Sequence, residues 1–471
     1  MTLVHRVLYP RPILSLDEYV VRGGGKGIAA ADRSEPAAII EKVLDSGLRG
    51  RGGAGFLTGR KWETVAANQA AAGLPATVVV NAAEGEPGTL KDRTILRRNP
   101  YVVLEGALVA ARAVGADLVV VATKRAFEGE IDRMRDAIDE AEHHGWSEGI
   151  DIAVFEGPDE YLYGEESALL ETLDRGWPFP RVVPVFRRGT RGGQPEDAPA
   201  PPALVNNTET MANVARIVAR GPAWFRTVGT QESPGTVVCT VTGDTRRAGV
   251  GEVRMGTPLG EVIEAIGGGP RSGRRIKAVL SGVANAVIPA SKLDTPVSYE
   301  GMASIGSGLG SCGFIVFDDT TDMASVAAGV ARFLGIESCG QCSPCKLDGM
   351  TIATTLEQAI GPQGTEHHVR VIRKKLANVA DRSRCFLATQ HQVVVSSILE
   401  HFQGELDAHI AGTAEPVAPA LIAELVDIHG GRATVDERFR RKQPDWSYNK
   451  SDSGTVPVER YADQASPWRL Y

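Results

Sequence analysis

The sequence predicts a chain with three folded parts: a parallel α/β domain, a small β-grasp domain and a C-terminal helical bundle. Short β-branched runs alternate with helical patterns over residues 1–235. Short β-rich runs surround a single helix over residues 236–322, and helical spacing of apolar residues dominates residues 323–412. Residues 413–471 have a mixed composition that becomes polar, and their last part shows no periodic spacing of apolar residues, so we expect a partner-binding or disordered tail.

The α/β domain is predicted from three apolar runs with helices between them. The runs at 77–81, 118–122 and 150–155 are short and rich in Val, Ile and Ala. Residues 101–114 and 127–143 have helical spacing and separate these runs. Strands and helices that alternate in this way form a parallel sheet.

The next two domains follow from a change of pattern near residue 236. The runs TVVCTVTG, AVLSGV and GFIVFDD enclose one helix at 259–266, which is the size and order of a small β-grasp domain. Helical patterns then occupy 323–335, 346–360, 366–380 and 388–410, which predicts a bundle.

Composition restricts the classes of function. The chain has 471 residues, 43% hydrophobic residues and a net charge of −7, which is typical of a soluble globular protein and argues against a nucleic-acid surface. No stretch approaches the length of a membrane span, and the first residues lack the apolar core of a secretory signal. We therefore expect a cytoplasmic protein, peripheral to a membrane only through partners.

Four cysteines form the strongest motif. Cys339, Cys342 and Cys345 follow a double two-residue spacing, and Cys385 comes after 39 intervening residues. Three closely spaced thiolates and a remote fourth can hold a [4Fe-4S] cluster. Zinc sites more often use two cysteine pairs, or a cysteine pair with a histidine pair, and unligated thiols are the third alternative. Cys239 and Cys312 are expected to be core residues.

A glycine-rich loop precedes the first strand. Gly50, Gly52, Gly53 and Gly55 resemble a dinucleotide fingerprint, but that fingerprint must follow a strand, and this loop follows a helical pattern. Closely spaced glycines still allow backbone N–H groups to approach a phosphate or a ring system. A tight helix–loop junction is the alternative.

Polar groups follow the predicted strands. Asn81–Gly88 comes after the first strand, Tyr163–Ser167 after the third, and Val205–Thr210 is expected to open a helix. A flavin needs such amides and N–H donors, and α/β ligands bind at strand ends. Together with the cysteines, these groups predict a flavin that exchanges electrons with an iron–sulfur cluster. We expect the neighbouring Lys124 and Arg125 to be a surface or interface charge pair.

Several motifs resemble the flavin- and NADH-binding subunit of respiratory complex I, a subunit type also found in the diaphorase modules of NAD-linked hydrogenases and formate dehydrogenases. The resemblance covers residues 35–412. It rests on SGLRGRGGAGF with the following KW, EGEPGTLKDR, YGEESALL, VNNTETMANV and ESCGQCSPCKLDG. It implies an FMN/NAD-binding α/β domain, a ubiquitin-like β-grasp domain and a bundle with one [4Fe-4S] cluster.

The resemblance also implies the residues of each site. No side-chain acid or base is expected to be catalytic, because the cofactors carry the chemistry. NAD contacts fall on Phe56, Glu86 and Phe186, and the cluster ligands fall on the four cysteines named above. FMN contacts fall on Gly50, Gly52, Lys61, Asn81, Glu84, Gly164, Glu165, Glu166, Val205, Asn206 and Asn207.

Three positions depart from the family pattern and indicate a divergent paralogue. The family sequence DESEPG is AEGEPG here, so an acidic flavin contact becomes Ala83. A second stacking Phe is replaced by Thr64, and a Lys that contacts the nucleotide is replaced by Val183. The flavin and cluster motifs are better kept than the nucleotide motifs.

We expect an electron-entry or electron-exit subunit that uses NAD(H), FMN and a [4Fe-4S] cluster. The expected partners are a [2Fe-2S] thioredoxin-like subunit or domain and a larger catalytic subunit, as in complex I, a hydrogenase or a formate dehydrogenase. The alternative is a flavin and iron–sulfur relay that has lost NADH binding. A scaffold with vestigial cofactor sites is a third hypothesis, which the intact cysteine spacing disfavours.

Overall fold

A computed structural model of the chain describes residues 3–191, 200–444 and 468–470. The middle of the glycine- and proline-rich loop (192–199) and much of the predicted tail (445–467 and 471) lie outside the described residues. Among the residues that are described, no helix is long and apolar enough to cross a membrane.

The first domain contains four parallel strands, and each is followed by a helical segment. The strands are β1 (Ala76–Ala82), β2 (Ala116–Lys124), β3 (Asp151–Gly157) and β4 (Ala203–Asn207). The helices are α1 (Leu16–Val21), α2 (Lys26–Ala31), α3 (Pro36–Ser46), α4 (Thr58–Ala72), α5 (Lys91–Arg98), α6 (Pro100–Val114), α7 (Glu128–His143), α8 (Glu166–Arg175), α9 (Thr208–Arg220) and α10 (Pro222–Phe225).

The strand order of this sheet creates a binding crevice. The parallel strands are ordered β3-β2-β1-β4, so the order reverses beside β1. Ligands of open α/β sheets bind at the carboxyl ends of the strands at such a switch point. The strand β4 is a correction to the sequence-based expectation: Val205, Asn206 and Asn207 are predicted to open a helix, but they end this strand. The run is only five residues long, and pairing with β1 decides its conformation.

The second domain has the predicted β-grasp fold. Its elements are β5 (Thr236–Gly243), β6 (Gly249–Arg254), α11 (Leu259–Val262), which a π-helical turn (Ile263–Gly267) extends, β7 (Ile276–Ser281), β8 (Ile288–Pro289), α12 (Tyr299–Ser304) and β9 (Gly313–Asp318). The mixed sheet has the order β6-β5-β9-β7-β8, in which β5 and β9 are parallel and the other pairs are antiparallel. Cys239 and Cys312 are buried in the core of this domain, as expected.

The third domain is a helical bundle, as predicted. The last predicted helix is two helices, because the chain bends at Phe402. The cysteine triplet lies between the first two helices, and Cys385 lies just before the fourth. The helices are α13 (Met323–Glu337), α14 (Gly349–Ile360), α15 (Glu366–Asn378), α16 (Leu387–His401) and α17 (Gln403–Ile410).

Residues 413–444, called the C-terminal segment below, pack against all three domains. The segment contains the hairpin β10 (Leu425–His429) and β11 (Arg432–Val435). The Ser325 hydroxyl of α13 donates to the Ala418 carbonyl (2.7 Å), and the Ala248 N–H of the β-grasp domain donates to the Gly431 carbonyl (2.6 Å). The segment contacts α5 of the first domain as well. Further along the chain, β12 (Trp468–Leu470) pairs antiparallel with β3.

Candidate flavin and iron–sulfur sites

The switch point brings together polar residues from distant parts of the sequence. Asn81 lies near the carboxyl end of the strand β1, and its side-chain amide donates to the Gly164 carbonyl at 2.8 Å. The Thr208 hydroxyl donates to the Asn81 carbonyl at 3.3 Å. Asn207 ends β4 and caps α9, because its side-chain oxygen accepts from the Glu209 N–H at 3.0 Å. Three of the predicted FMN residues, Asn81, Gly164 and Asn207, therefore lie at one edge of the sheet.

The glycine loop lies against this edge. The Arg51 N–H donates to the Thr210 hydroxyl (2.9 Å), which ties the loop to the first turn of α9. A Cβ on Gly52 would lie 3.2 Å from Cβ of Asn207. A Cβ on Gly55, whose φ is +65°, would lie 2.3 Å from the Tyr299 ring. Gly55 has no room for a side chain, and a side chain at Gly52 would press on Asn207, so the backbone of the loop approaches its neighbours closely at both positions. This cradle of exposed backbone fits a phosphate or a flavin.

An ion pair closes the side of the crevice next to α4. The Lys61 ammonium lies 2.6 Å from the Glu166 carboxylate and donates to the Val205 carbonyl at 2.7 Å. On the same helix, the Trp62 indole N–H donates to the Asn206 side-chain oxygen at 2.9 Å. These bonds connect α4, which carries the predicted FMN residue Lys61, to three others, Glu166, Val205 and Asn206.

Two carboxylates at the site cap helices. Glu165 accepts from the N–H groups of Ser167 (3.1 Å) and Ala168 (2.8 Å) at the start of α8. Glu84 accepts from the Asp92 N–H (3.0 Å) at the start of α5. Burial, and then the nearby Asp92 carboxylate, raise the pKa of Glu84 to about 7. Glu84 therefore titrates near neutral pH at the predicted flavin edge.

Sequence reasoning missed a buried charge cluster beneath the site. The ammonium of Lys91 lies 2.8 Å from Asp92 and 3.0 Å from Glu209, and it donates to the Asn207 side chain at 3.2 Å. Burial opposes this charge, but the two carboxylates outweigh it and hold the pKa of Lys91 above its ordinary value. Charged residues inside the motifs EGEPGTLKDR and VNNTETMANV were the available signal. This charge cluster holds the Asn207 side chain in place, because Lys91 donates to it and Asp92 accepts from it.

The three predicted NAD residues have different surroundings. Phe56 follows the glycine loop and is 61% exposed, whereas Phe186 is half-buried and packs against the core of the first domain. Glu86 accepts 2.6 Å hydrogen bonds from the Tyr161 hydroxyl and from the Val283 N–H of the β-grasp domain. Phe56 is therefore free to stack on a ligand, while Glu86 lies at the junction of the domains.

The four predicted cluster ligands line one small cavity. Cys339, Cys342, Cys345 and Cys385 surround it together with Leu162 and neighbouring groups. Burial raises the pKa of Cys345 to about 11 and that of Cys385 to about 12. Thiolates at these positions therefore need a cationic centre to stabilise them. Within the described ranges, no group of three or more His, Cys, Asp or Glu side chains is placed to hold a single metal ion. Four sulfurs around one cavity are the donor set of an iron–sulfur cluster.

A single turn contacts both sites. In the 3₁₀ turn Tyr161–Gly164, the Leu162 side chain lines the cysteine cavity, and the Gly164 carbonyl accepts from Asn81 at the switch point. The flavin edge and the cysteine cavity are therefore neighbours. A switch-point crevice with a glycine cradle, next to four cysteines around one cavity, defines a protein that combines a flavin with an iron–sulfur cluster for electron transfer.

Comparisons with known proteins identify the family. Residues 43–216 match the family model described as "Nuo51 FMN-binding domain". Residues 325–409 match "NADH-ubiquinone oxidoreductase-F iron-sulfur binding region". An F-type subunit of the NADH-quinone oxidoreductase of Rhizobium meliloti is 38% identical to the chain, and the alignment covers 84% of this chain and 94% of that protein. The chain belongs to the family of F-type subunits of NADH-quinone oxidoreductase.

Other relatives show the range of this family. The NADP-reducing hydrogenase subunit HndC of Solidesulfovibrio fructosivorans is 33% identical over 88% of this chain and 84% of its own length. The crystal structure of an H2-reduced NAD+-reducing [NiFe]-hydrogenase matches with a TM-score of 0.74 and 31% identity, over 87% of this chain and 68% of that one.

These findings confirm the predicted resemblance, fold class, function and cofactors. The protein is an NADH-oxidising electron-transfer subunit with FMN and a [4Fe-4S] cluster, of the type found in complex I or an NAD-linked hydrogenase. Membership of a formate dehydrogenase is not confirmed. The cluster excludes the zinc and unligated-thiol alternatives, and the function excludes the scaffold hypothesis.

Proposed function

We propose that FMN binds in the β1/β4 crevice and that NAD(H) binds over it beside Phe56. The observation that supports this placement is the convergence of the glycine loop, Asn81, Asn207 and the Lys61–Glu166 pair at the switch point, one turn away from the cysteine cavity. When bound, FMN exchanges a hydride with NAD(H), and the cluster passes electrons singly to or from a partner.

The residues of the chain bind and orient these groups. Backbone N–H groups of the glycine loop can donate to a phosphate, and the dipole of the adjoining α9 favours its negative charge. The amide of Asn81 and the Lys61–Glu166 pair orient the ring system. Phe56 and Phe186 offer aromatic faces to the adenine. Cys339, Cys342, Cys345 and Cys385 hold the cluster.

The test of the flavin site uses a matched pair of glycines. Gly52→Ala places a methyl group 3.2 Å from Asn207, so we expect weaker FMN binding, measured by quenching of flavin fluorescence. Gly129→Ala is the control, since a Cβ at this helical glycine has no atom within 4 Å. Equal FMN affinity in the two variants would argue against the placement. For the NADH step, NADH is added anaerobically to fully loaded protein, and failure of the flavin to bleach would contradict it.

We also propose that the chain works with a [2Fe-2S] thioredoxin-like subunit or domain and with a larger catalytic subunit, on the cytoplasmic side of any membrane partner. The named relatives, a quinone oxidoreductase subunit and a hydrogenase subunit, support a multi-subunit assembly. Mass spectrometry of co-purified subunits tests this. A co-purified nickel enzyme would indicate that the complex uses hydrogen, a molybdenum enzyme that it uses formate, and a membrane arm that it reduces quinone. Purification of the chain without any partner from gently lysed cells would count against the assembly.

A further inference from the structure

Lys124, which the sequence analysis places in a surface or interface charge pair, is buried at the end of β2. Its side chain is 1% exposed, and its ammonium forms an ion pair with Glu424 of the C-terminal segment. The two residues are 300 positions apart in the sequence. Burying an ammonium group is costly unless a partner compensates its charge, so the position of Glu424 matters to the fold around Lys124.

The Lys124–Glu424 pair lies directly against Gly85. A Cβ on Gly85 would lie 2.7 Å from Nζ of Lys124 and 2.9 Å from Oε1 of Glu424. The pair therefore occupies the space that a side chain at residue 85 would need. Gly85 separates Glu84, a proposed FMN contact, from Glu86, a proposed NAD contact. The family motif DESEPG has Asp and Ser at the positions of Ala83 and Gly85, so the loop of this chain lacks both polar side chains. The carboxylate that approaches the loop here is that of Glu424.

The same stretch of the C-terminal segment holds the helix that follows this loop. Arg93 of α5 donates to the Leu425 carbonyl at 3.1 Å, and Arg97 pairs with Asp427 at 2.6 Å. Glu84 caps the first turn of α5. The segment thus contacts the Glu84–Glu86 loop on one side and the helix after it on the other.

We propose that Glu424, acting through Lys124, is a positioning residue of the flavin and nucleotide site, and that the C-terminal segment is a structural part of this site. The inference rests on the proposed function, because it assumes that the Glu84–Glu86 loop contacts FMN and NAD(H). Both family matches end before this segment, at residues 216 and 409.

The test compares two glutamates of the C-terminal segment. Glu424→Gln keeps the shape but removes the charge that fixes Lys124, and we expect FMN to bind roughly tenfold more weakly, the equivalent of one charge-assisted hydrogen bond. Glu415→Gln, at an exposed position of the same segment, leaves the affinity unchanged. The dissociation constant is measured by fluorescence titration of the FMN-free protein, so the readout does not depend on turnover.

Gly85→Ser provides an independent route to the same result. The serine side chain displaces the Lys124–Glu424 pair, so this change reproduces the loss caused by Glu424→Gln. Both changes disturb the same Lys124–Glu424 contact, so their effects on FMN binding are not additive. We expect the double variant to have the FMN affinity of the weaker-binding single variant. Strictly additive losses, or an unchanged affinity in Glu424→Gln, would overturn the inference. Absence of FMN binding by the unmodified protein would instead refute the proposed function.

Discussion

The Tyr161 hydroxyl donates a 2.6 Å hydrogen bond to the Glu86 carboxylate. The same hydroxyl accepts from the Gln390 amide of α16 at 3.1 Å, and Glu86 also accepts from the Val283 N–H of the β-grasp domain. Tyr161 therefore joins the proposed nucleotide loop to the helical bundle, and Glu86 joins the same loop to the β-grasp domain. Since the next residue, Leu162, lines the cysteine cavity, the network runs from the nucleotide loop to the cluster site.

Replacing this tyrosine should loosen the junction. We expect Tyr161→Phe to cost roughly 1.5–3 kcal/mol of local stability, because the Glu86 carboxylate, a charged acceptor, loses the hydrogen bond that the hydroxyl donates. Tyr163→Phe is the control, since that hydroxyl is buried without a partner in the described part of the chain. The measurement is amide hydrogen exchange in the turn Tyr161–Gly164 of the loaded protein. Equal exchange in the two variants would show that the bond to Glu86 contributes nothing.

Removing one cysteine from the cavity should abolish the cluster. If Cys385 is the remote fourth ligand, as proposed, Cys385→Ser loses the [4Fe-4S] absorption and most of the bound iron. Cys312→Ala, in the core of the β-grasp domain, should keep both. Iron analysis and the visible spectrum of anaerobically purified protein distinguish the two. A full iron content in Cys385→Ser would remove this residue from the ligand set.

Restoring the divergent nucleotide positions should strengthen NADH binding. Thr64 is half-buried on α4 and Val183 is exposed, so neither change has to fit a larger side chain into the core. We expect Thr64→Phe to tighten binding about two- to tenfold through aromatic stacking, and Val183→Lys to add a charge contact. Anaerobic titration of flavin bleaching measures this. Val21→Lys, at an exposed position of α1, is the control for added charge. An unchanged NADH affinity in both restored variants would show that neither position contacts the nucleotide.

The stability of the bundle should depend on pH through His391. This residue of α16 is fully buried, both ring nitrogens lack hydrogen-bond partners in the described part, and burial lowers its pKa to about 3. The unfolded chain takes up a proton near pH 6.5, whereas the folded chain does not, so stability falls as the pH drops from 6.5 towards 3.

We expect His391→Leu to remove this part of the acid sensitivity. Denaturation midpoints measured between about pH 7 and pH 5 should fall less in this variant than in the unmodified protein. His401→Leu, at the exposed end of the same helix, should keep the original slope. A matching slope in His391→Leu would mean that the histidine is protonated in the folded state.

The sequence alone determined the fold class and the cofactors, and it predicted the four cysteines as the cluster ligands. Apolar periodicity, cysteine spacing and glycine-rich motifs are short-range signals, so they can be recognised in the sequence without knowledge of the fold. A five-residue strand such as β4 gives too weak a signal, and its pairing with β1 decided both its conformation and the switch point.

Only the tertiary structure decided which charges are buried and what the C-terminal segment contacts. Lys91 meets Glu209, and Lys124 meets Glu424, across long separations in the sequence. An isolated lysine in a sequence is expected to be solvated, because its burial requires a carboxylate that the fold brings from elsewhere. Charged residues in two motifs are a signal for the Lys91–Glu209 pair, but nothing in the sequence connects Lys124 with Glu424, so the contacts beneath Asn207 and beside Gly85 became visible only in three dimensions.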